Sequence, residues 1–352
     1  MTEALTGWIG YIDEVTYGTS PIVAGSKLRA FGIHLDPLEL PKQKSKIIRR
    51  DISSTYTANA LLYGQTEHKI TIPYVLMDGR ELYYHMGKTP DTAGSYTHTL
   101  TSMVKSDGAV PPSRTLRIET DGLTTDKRID VRGCLPESLT LDWESTVPTV
   151  NCKEELVFKN LNDESTGENA TTTLTTYAGQ AYLRAPSGTE YSGEDAFYCK
   201  TVSVGENDIT DAVTKGSIKI AHAYTAYYAN NSDTDEFGVQ KDRCPYQYFL
   251  QHKDFDVLLE CYPTDEVLNI WDIFQNQSAT TTVVITFARY SDTTNETIVF
   301  TFDNDETPIY DVSGMLKPLL DDPNNLIFRF KPKDITSIVY NTTTNATLLA
   351  DA

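Results

Sequence analysis

Two stretches of this chain alternate apolar and polar residues with a period of two. In Leu139-Thr-Leu-Asp-Trp-Glu144 the residues Leu139, Leu141 and Trp143 share one side, and Thr140, Asp142 and Glu144 share the other. In Lys253-Asp-Phe-Asp-Val-Leu-Leu-Glu-Cys261, Phe255, Val257, Leu259 and Cys261 oppose Asp254, Asp256 and Glu260. Successive strand side chains point to opposite faces, so both segments read as strands with one dry face and one wet, carboxylate-bearing face. Thr, Tyr, Val and Ile dominate the ordered stretches elsewhere, and the expectation is a mainly β protein.

Further strands fall at Thr282–Phe287 and Thr297–Phe302, flanking the polar connector 289–296 as an antiparallel hairpin. Leu326–Phe330 and Ile335–Tyr340 read as a second pair joined through Lys331-Pro-Lys-Asp334. Two short helices are expected, Met77–Met86 and Thr264–Gln275, starting at the capping residues Asp78 and Thr264 with acid in the first turn. In the second, Val267, Leu268, Trp271 and Phe274 form the apolar stripe.

A length of 352 residues suits two domains of about 100 to 200 residues each. Strand, polar excursion, strand and helix occur in that order in both halves, at 28–86 and again at 197–275, which suggests two modules in tandem. The polar stretch Asn162–Thr173 marks the seam. The expected division is a first module 1–161, with an arm 1–20 and a basic loop 36–54, a linker 162–180, and a second module 181–352 ending in an arm 341–352.

Acidic residues exceed basic ones by 49 − 30 = 19, which argues against a surface built to grip phosphates. A negative wall would instead repel a polyanion toward the axis of a channel. No apolar run approaches the roughly 20 residues that span a bilayer, and the start of the chain lacks a secretory pattern. Membrane insertion is not expected, and synthesis in the host cytoplasm is. The five cysteines show no C-x-x-C spacing, the six histidines no metal-binding spacing, and the phosphate-loop and hydrolase-elbow motifs are missing. The reading is therefore a non-enzyme with no metal or cofactor. Asp303-Asn-Asp305 has a calcium-loop flavour without the glycine and distant glutamate, and reads as a solvated turn.

The segments Gly94-Ser-Tyr-Thr-His-Thr-Leu100, Pro112-Ser-Arg-Thr-Leu-Arg-Ile118, Val131-Arg-Gly-Cys-Leu-Pro-Glu-Ser-Leu-Thr-Leu141 and Asn151-Cys-Lys-Glu-Glu-Leu-Val-Phe158 follow one another in the order of strands that recur in the tail tube proteins of long-tailed bacterial and archaeal viruses. The chain resembles that family. The resemblance implies tail-tube-type β-sandwich modules whose inner sheets join those of neighbours into a barrel around a lumen, a helix packed outside, and rings stacked into a tube in the virion tail. It implies structural roles for Tyr96, His98, Gly133, Cys134 and Ser138, and the alternation of Tyr96, His98 and Leu100 suggests that these three share one strand face. It also implies lumen-facing charge at Asp142, Glu144, Asp254, Asp256 and Glu260. Inter-ring contact falls to the basic run Lys42, Lys44, Lys46, Arg49 and Arg50, with the acid-rich Asp233, Asp235 and Glu236 as its counterpart. The partners are other copies of the chain, as a trimer ahead of a hexamer, the tape measure, terminator and baseplate proteins, and double-stranded DNA in transit. The rivals are a receptor- or carbohydrate-binding β-protein with tyrosine-rich loops such as 223–228, and a head-tail connector or decoration protein.

Overall fold

The computed structural model describes residues 7–22, 27–31, 42–52, 58–88, 96–103, 111–120, 127–163, 175–176, 196–228, 245, 247–275, 281–302, 309–314 and 325–342. The chain begins with β1 (Gly7–Asp13), β2 (Lys27–Ala30), β3 (Lys42–Ile52), β4 (Ala58–Val75) and helix α1 (Glu81–Met86). β5 (Gly87–Lys88), β6 (Thr97–Ser102), β7 (Arg114–Thr120), β8 (Lys127–Glu144), β9 (Val147–Val157), β10 (Asn160–Asp163) and β11 (Thr175–Thr176) follow. The second half supplies β12 (Phe197–Val204), β13 (Asn207–Asp208), β14 (Val213–Tyr227), β15 (Gln247–Cys261) and helix α2 (Asp265–Gln275). It ends with β16 (Val283–Arg289), β17 (Thr297–Phe302), β18 (Ile309–Gly314), β19 (Leu326–Phe330) and β20 (Ile335–Asn341).

Two sheets face each other. The larger follows β3-β4-β9-β8-β14-β15-β19-β18, antiparallel at every step. A side arm β11-β2-β1-β7 and the short β10 join the amino-terminal part of β8. The smaller sheet runs β13-β12-β16-β17-β20-β6-β5, and neither sheet closes into a barrel among the described residues. Leu141, Trp143, Ile218, Phe255, Val257 and Leu259 of the larger sheet and Ile285, Phe287, Phe300 and Ile338 of the smaller are buried, as the alternation requires. Trp143 meets Phe287 across the layer edge to face, ring centroids 5.2 Å apart.

The two halves share both sheets. β8 pairs with β14 from Lys215↔Glu144 to Ala221↔Ser138, and β6 pairs with β20 in the smaller sheet. One core cluster runs from Ile9 to Tyr340. The repeat in the sequence is nonetheless present as connectivity. The order β3-β4-β9-β8 recurs as β14-β15-β19-β18, each unit a hairpin, a helix, and a second hairpin laid back beside the first.

Three local expectations are corrected. Helix α1 starts at Glu81 rather than near Asp78, because Asp78 Oδ1 accepts the Arg80 N–H at 3.0 Å in a tight turn. Gly79 in that turn lies on the Tyr340 ring, where an added Cβ would stand 2.7 Å from a ring carbon. In α2 the Thr264 hydroxyl accepts the Val267 N–H at 3.3 Å, but the buried stripe turns toward Val267 and Ile270, leaving Leu268 37% exposed. Finally, β19 and β20 are not a hairpin: residues 331–334 carry the chain from the larger sheet to the smaller.

Gly216 sits directly opposite Trp143, and a Cβ there would fall 2.0 Å from the indole. Gly216→Ala is expected to cost about 1–3 kcal/mol of unfolding free energy by overpacking. Ser217→Ala on the wet face is expected to change it by less than about 0.5 kcal/mol. Urea titration of both variants checks the difference.

Candidate assembly site

Strand edges carry the unusual chemistry of this fold. Among the described residues, β3 pairs only with β4 and β18 only with β19, so the path of strands ends in two open edges. An edge presents unpaired N–H and C=O groups and is a template for another strand.

The wet face of the same sheet carries the five carboxylates expected to line a lumen. Asp142, Asp256 and Glu260 are half-exposed, Glu144 and Asp254 exposed, and all five alternate with buried neighbours. They are interleaved with cations on adjacent strands. Glu144 lies 3.7 Å from Lys215, Asp256 is 3.2 Å from Lys331, and Arg329 pairs with Asp311. Glu260 accepts from Asn325 at 2.6 Å, and Asp254 faces His252 at 3.4 Å. Such exposed pairs each contribute little to stability. They set the texture of the face, with both signs in alternation.

The basic run lies on a strand, not in a loop: Lys42, Lys44, Lys46, Arg49 and Arg50 all fall within β3, and 36–41 lie outside the described residues. β4 pairs with β9 only from Lys69 onward, so its earlier residues and β3 project as a two-stranded ribbon. β14 and β15 project in the same way, beyond Ala221 and before Val257. Four antiparallel steps separate β4 from β15, so they run in the same direction and both ribbons leave the same end of the sheet. Asp233, Asp235 and Glu236 lie outside the described residues. Exposed acids at the opposite end are Glu144, Asp211, Asp265 and Glu266, around Val213 and Cys261 where β14 and β15 meet.

The residues singled out by the family resemblance lie in or just before β6 and in β8. Gly133, at φ 65°, donates its N–H to Glu14 Oε1 at 2.7 Å, at the point where β8 exchanges β7 for β9 and β14 as partners. A Cβ there would meet Lys159 Cβ at 2.8 Å, so the position requires glycine. Cys134 is fully buried, and Ser138 donates to Glu155 at 3.1 Å. His98 and Leu100 are buried, but Tyr96 precedes β6 and is 50% exposed, so it does not share their face. Glu14, which sequence reasoning passed over, also accepts from Gly18 N–H at 2.8 Å, Ser113 at 2.7 Å and Thr115 at 2.6 Å. Nothing in Asp13-Glu14-Val15 marks it; its donors come from residues up to 119 positions away.

Beneath α1 lies a buried ionic cluster. Arg114 and Glu154 are fully buried and paired, and His85 Nε2 lies 2.8 Å from Glu154 Oε1. The Arg114 guanidinium also sits 4.3 Å from the Tyr84 ring centroid and 5.0 Å from that of Tyr11. Burial pushes the Glu154 carboxyl upward, but Arg114 and the His85 hydrogen bond outweigh it and hold the group below its usual range. Glu81 lacks such a dedicated partner, and burial together with Asp78 raises it to about 8. Burial pushes the Cys134 and Cys152 thiols up, and Cys199 and Cys261 to about 12, so none of these four is a thiolate nucleophile at neutral pH. No grouping of three metal-ligating side chains, and no helix long and apolar enough to cross a membrane, occurs among the described residues.

No known protein family matches this chain, and no curated protein matches it.

Removing one partner of a buried pair strands the other charge. Glu154→Ala is expected to cost about 3–5 kcal/mol of stability, against less than about 1 kcal/mol for Glu144→Ala, whose partner is exposed. Chemical denaturation of the two variants measures both values.

Proposed function

We propose that this chain is a structural virion protein that assembles into stacked rings, forming the tail tube through which viral DNA passes. One observation carries the reading: the larger sheet is a four-stranded unit used twice, joined head to tail at β8–β14, with the same two kinds of strand left open at its ends. In the repeat, β18 corresponds to β8 and β3 to β14. On this reading a further copy offers the foot of β3, at Lys42 where β3 lies level with the β4–β9 pairing, to the free edge of β18, as the foot of β14 pairs with β8 in the chain itself. A head-to-tail contact of this kind generates a ring when its rotation closes.

Three chains supply six units, and a trimeric ring is the favoured assembly. The wet face then lines the bore, where alternating charges on a sheet of net acidic chain let a polyanion slide without binding. The ribbons leaving one end of the sheet, one of them basic, reach toward the next ring and give the stack a direction. The partners on this reading are further copies, a tape measure protein inside, and terminator and baseplate proteins at the ends.

A second reading, a carbohydrate- or receptor-binding virion component, draws on a cavity of about 190 Å³ lined by Trp143, Glu144, Ser145, Tyr198, Cys199, Thr210 and Val213. Tyr198 stacks on the exposed Tyr290 beside it, ring centroids 4.5 Å apart. Negative-stain microscopy of concentrated purified protein separates the two. Rings or hollow rods are expected for a tube, and discrete particles at every concentration would overturn that reading.

A further inference from the structure

The last turn of α1 is gripped from the other half of the chain. His222 on β14 and Lys253 on β15 are direct cross-strand partners. His222 Nε2 donates to the His85 carbonyl at 2.9 Å, and the Lys253 ammonium donates to the carbonyls of His85 and Met86 at 3.2 and 2.9 Å. These carbonyls form the negative end of the helix dipole, so the donors are well placed. The grip lies where the β14–β15 ribbon has left its neighbours: β8 stops pairing at Ala221 and β19 at Val257. Beyond the grip, the ribbon is held by a small cluster of Leu135, Val157 and Tyr248, with Tyr17, Tyr224 and Ala226 against it.

Charge is poorly balanced at this point. The His85 and His222 rings lie 5.4 Å apart, both buried, with the Lys253 ammonium between the strand pair and the helix end. From β7 comes Arg114, and from β9 comes Glu154, already engaged by Arg114 and His85. From α1 itself comes Glu81, which stays neutral up to about 8. Asp334, in the turn between β19 and β20, faces Lys253, and Tyr224 stacks on the far side of His222. Glu137 of β8 meets His222 through its backbone, which favours a proton there, and pairs its carboxylate with Lys69, so among the described residues no carboxylate hydrogen-bonds His222.

We propose that His222 and Lys253 form an acid-sensitive latch, which holds the β14–β15 ribbon against α1 while the imidazoles are neutral and releases it when they are protonated. A proton on His222 sets two cations side by side in a desolvated pocket, and the least costly relief is for the ribbon to carry both into water. Burial drives His222 well below the ordinary histidine value of 6.5, with His85 and Lys253 acting in the same direction. Burial also lowers His85, partly opposed by Glu154. A released imidazole takes up its proton near 6.5 and a latched one refuses it. The latch is therefore fully held above that pH and weakens as the pH falls through and below it.

Hydrogen exchange of the intact protein at pH 7.5 and 5.0, corrected for intrinsic rates, tests the latch. Amides of 222–227 and 247–253 are expected to lose protection by about tenfold or more at the lower pH, the effect of one unit of displaced titration. Those of 139–157 keep theirs. His222→Gln retains a donor for the His85 carbonyl but does not titrate, and should make ribbon protection insensitive to this pH change. Lys253→Met removes two of the three donors of the grip together with the neighbouring cation, and should lower ribbon protection already at pH 7.5 while narrowing its difference from pH 5.0, which decides the matter should the glutamine variant not fold. Equal ribbon protection of the wild type at both pH values, full acid sensitivity in His222→Gln, or wild-type protection at pH 7.5 in Lys253→Met would each overturn the latch.

Discussion

Everything in this fold turns on the junction between β8 and β14. Backbone pairing from Ser138 to Glu144 fuses two four-stranded units into one sheet, and the Trp143 indole laid over Gly216 seals the seam on its dry side. The junction covers an edge that each unit would otherwise present to solvent. What it leaves over are the outer edges at β3 and β18, and a sheet that ends in bare backbone has three physical outcomes: cover, charge or continuation. The basic strand β3 is charged and the short strand β18 carries the Asp311–Arg329 pair. Both features deter indiscriminate pairing while leaving room for a partner of defined register.

The halves are interlocked well beyond that seam. The Arg289 guanidinium donates to the Met77 carbonyl at 2.7 Å, Gly79 rests on Tyr340, and Lys253 and His222 hold the last carbonyls of α1. The first helix is thus seized at both ends by strands of the second half. A buried ionic cluster then fixes α1 to β7 and β9 through Arg114, Glu154 and His85. Polar burial on this scale adds little net stability, but it makes alternative packings costly and so specifies one arrangement.

Alternation made the strands legible in the sequence. Leu139, Leu141, Trp143, Phe255, Val257 and Leu259 are buried where a period of two puts them, because a half-buried sheet leaves that signature in the residues themselves. The wet-face carboxylates followed from the same count. Partner choice was not legible: β19 and β20 read as a hairpin because short spacing favours one, whereas the core pulled them into different sheets. The start of α1 was hidden by a turn shaped around Tyr340, more than 250 residues away in the chain, and Glu14 by donors drawn from three other segments. The direction of the two ribbons follows only once the number of antiparallel steps between β4 and β15 is known.

Hydrogen exchange across a concentration series tests the open edges most directly. In dilute protein the outward amides of β3 and β18 should exchange freely while those of β8 and β14 stay protected. On concentration into assemblies, β3 and β18 should gain protection together, with the β8–β14 junction unchanged. Protection of both edges already at the lowest concentration, or free exchange that persists in assembled material, would contradict the account.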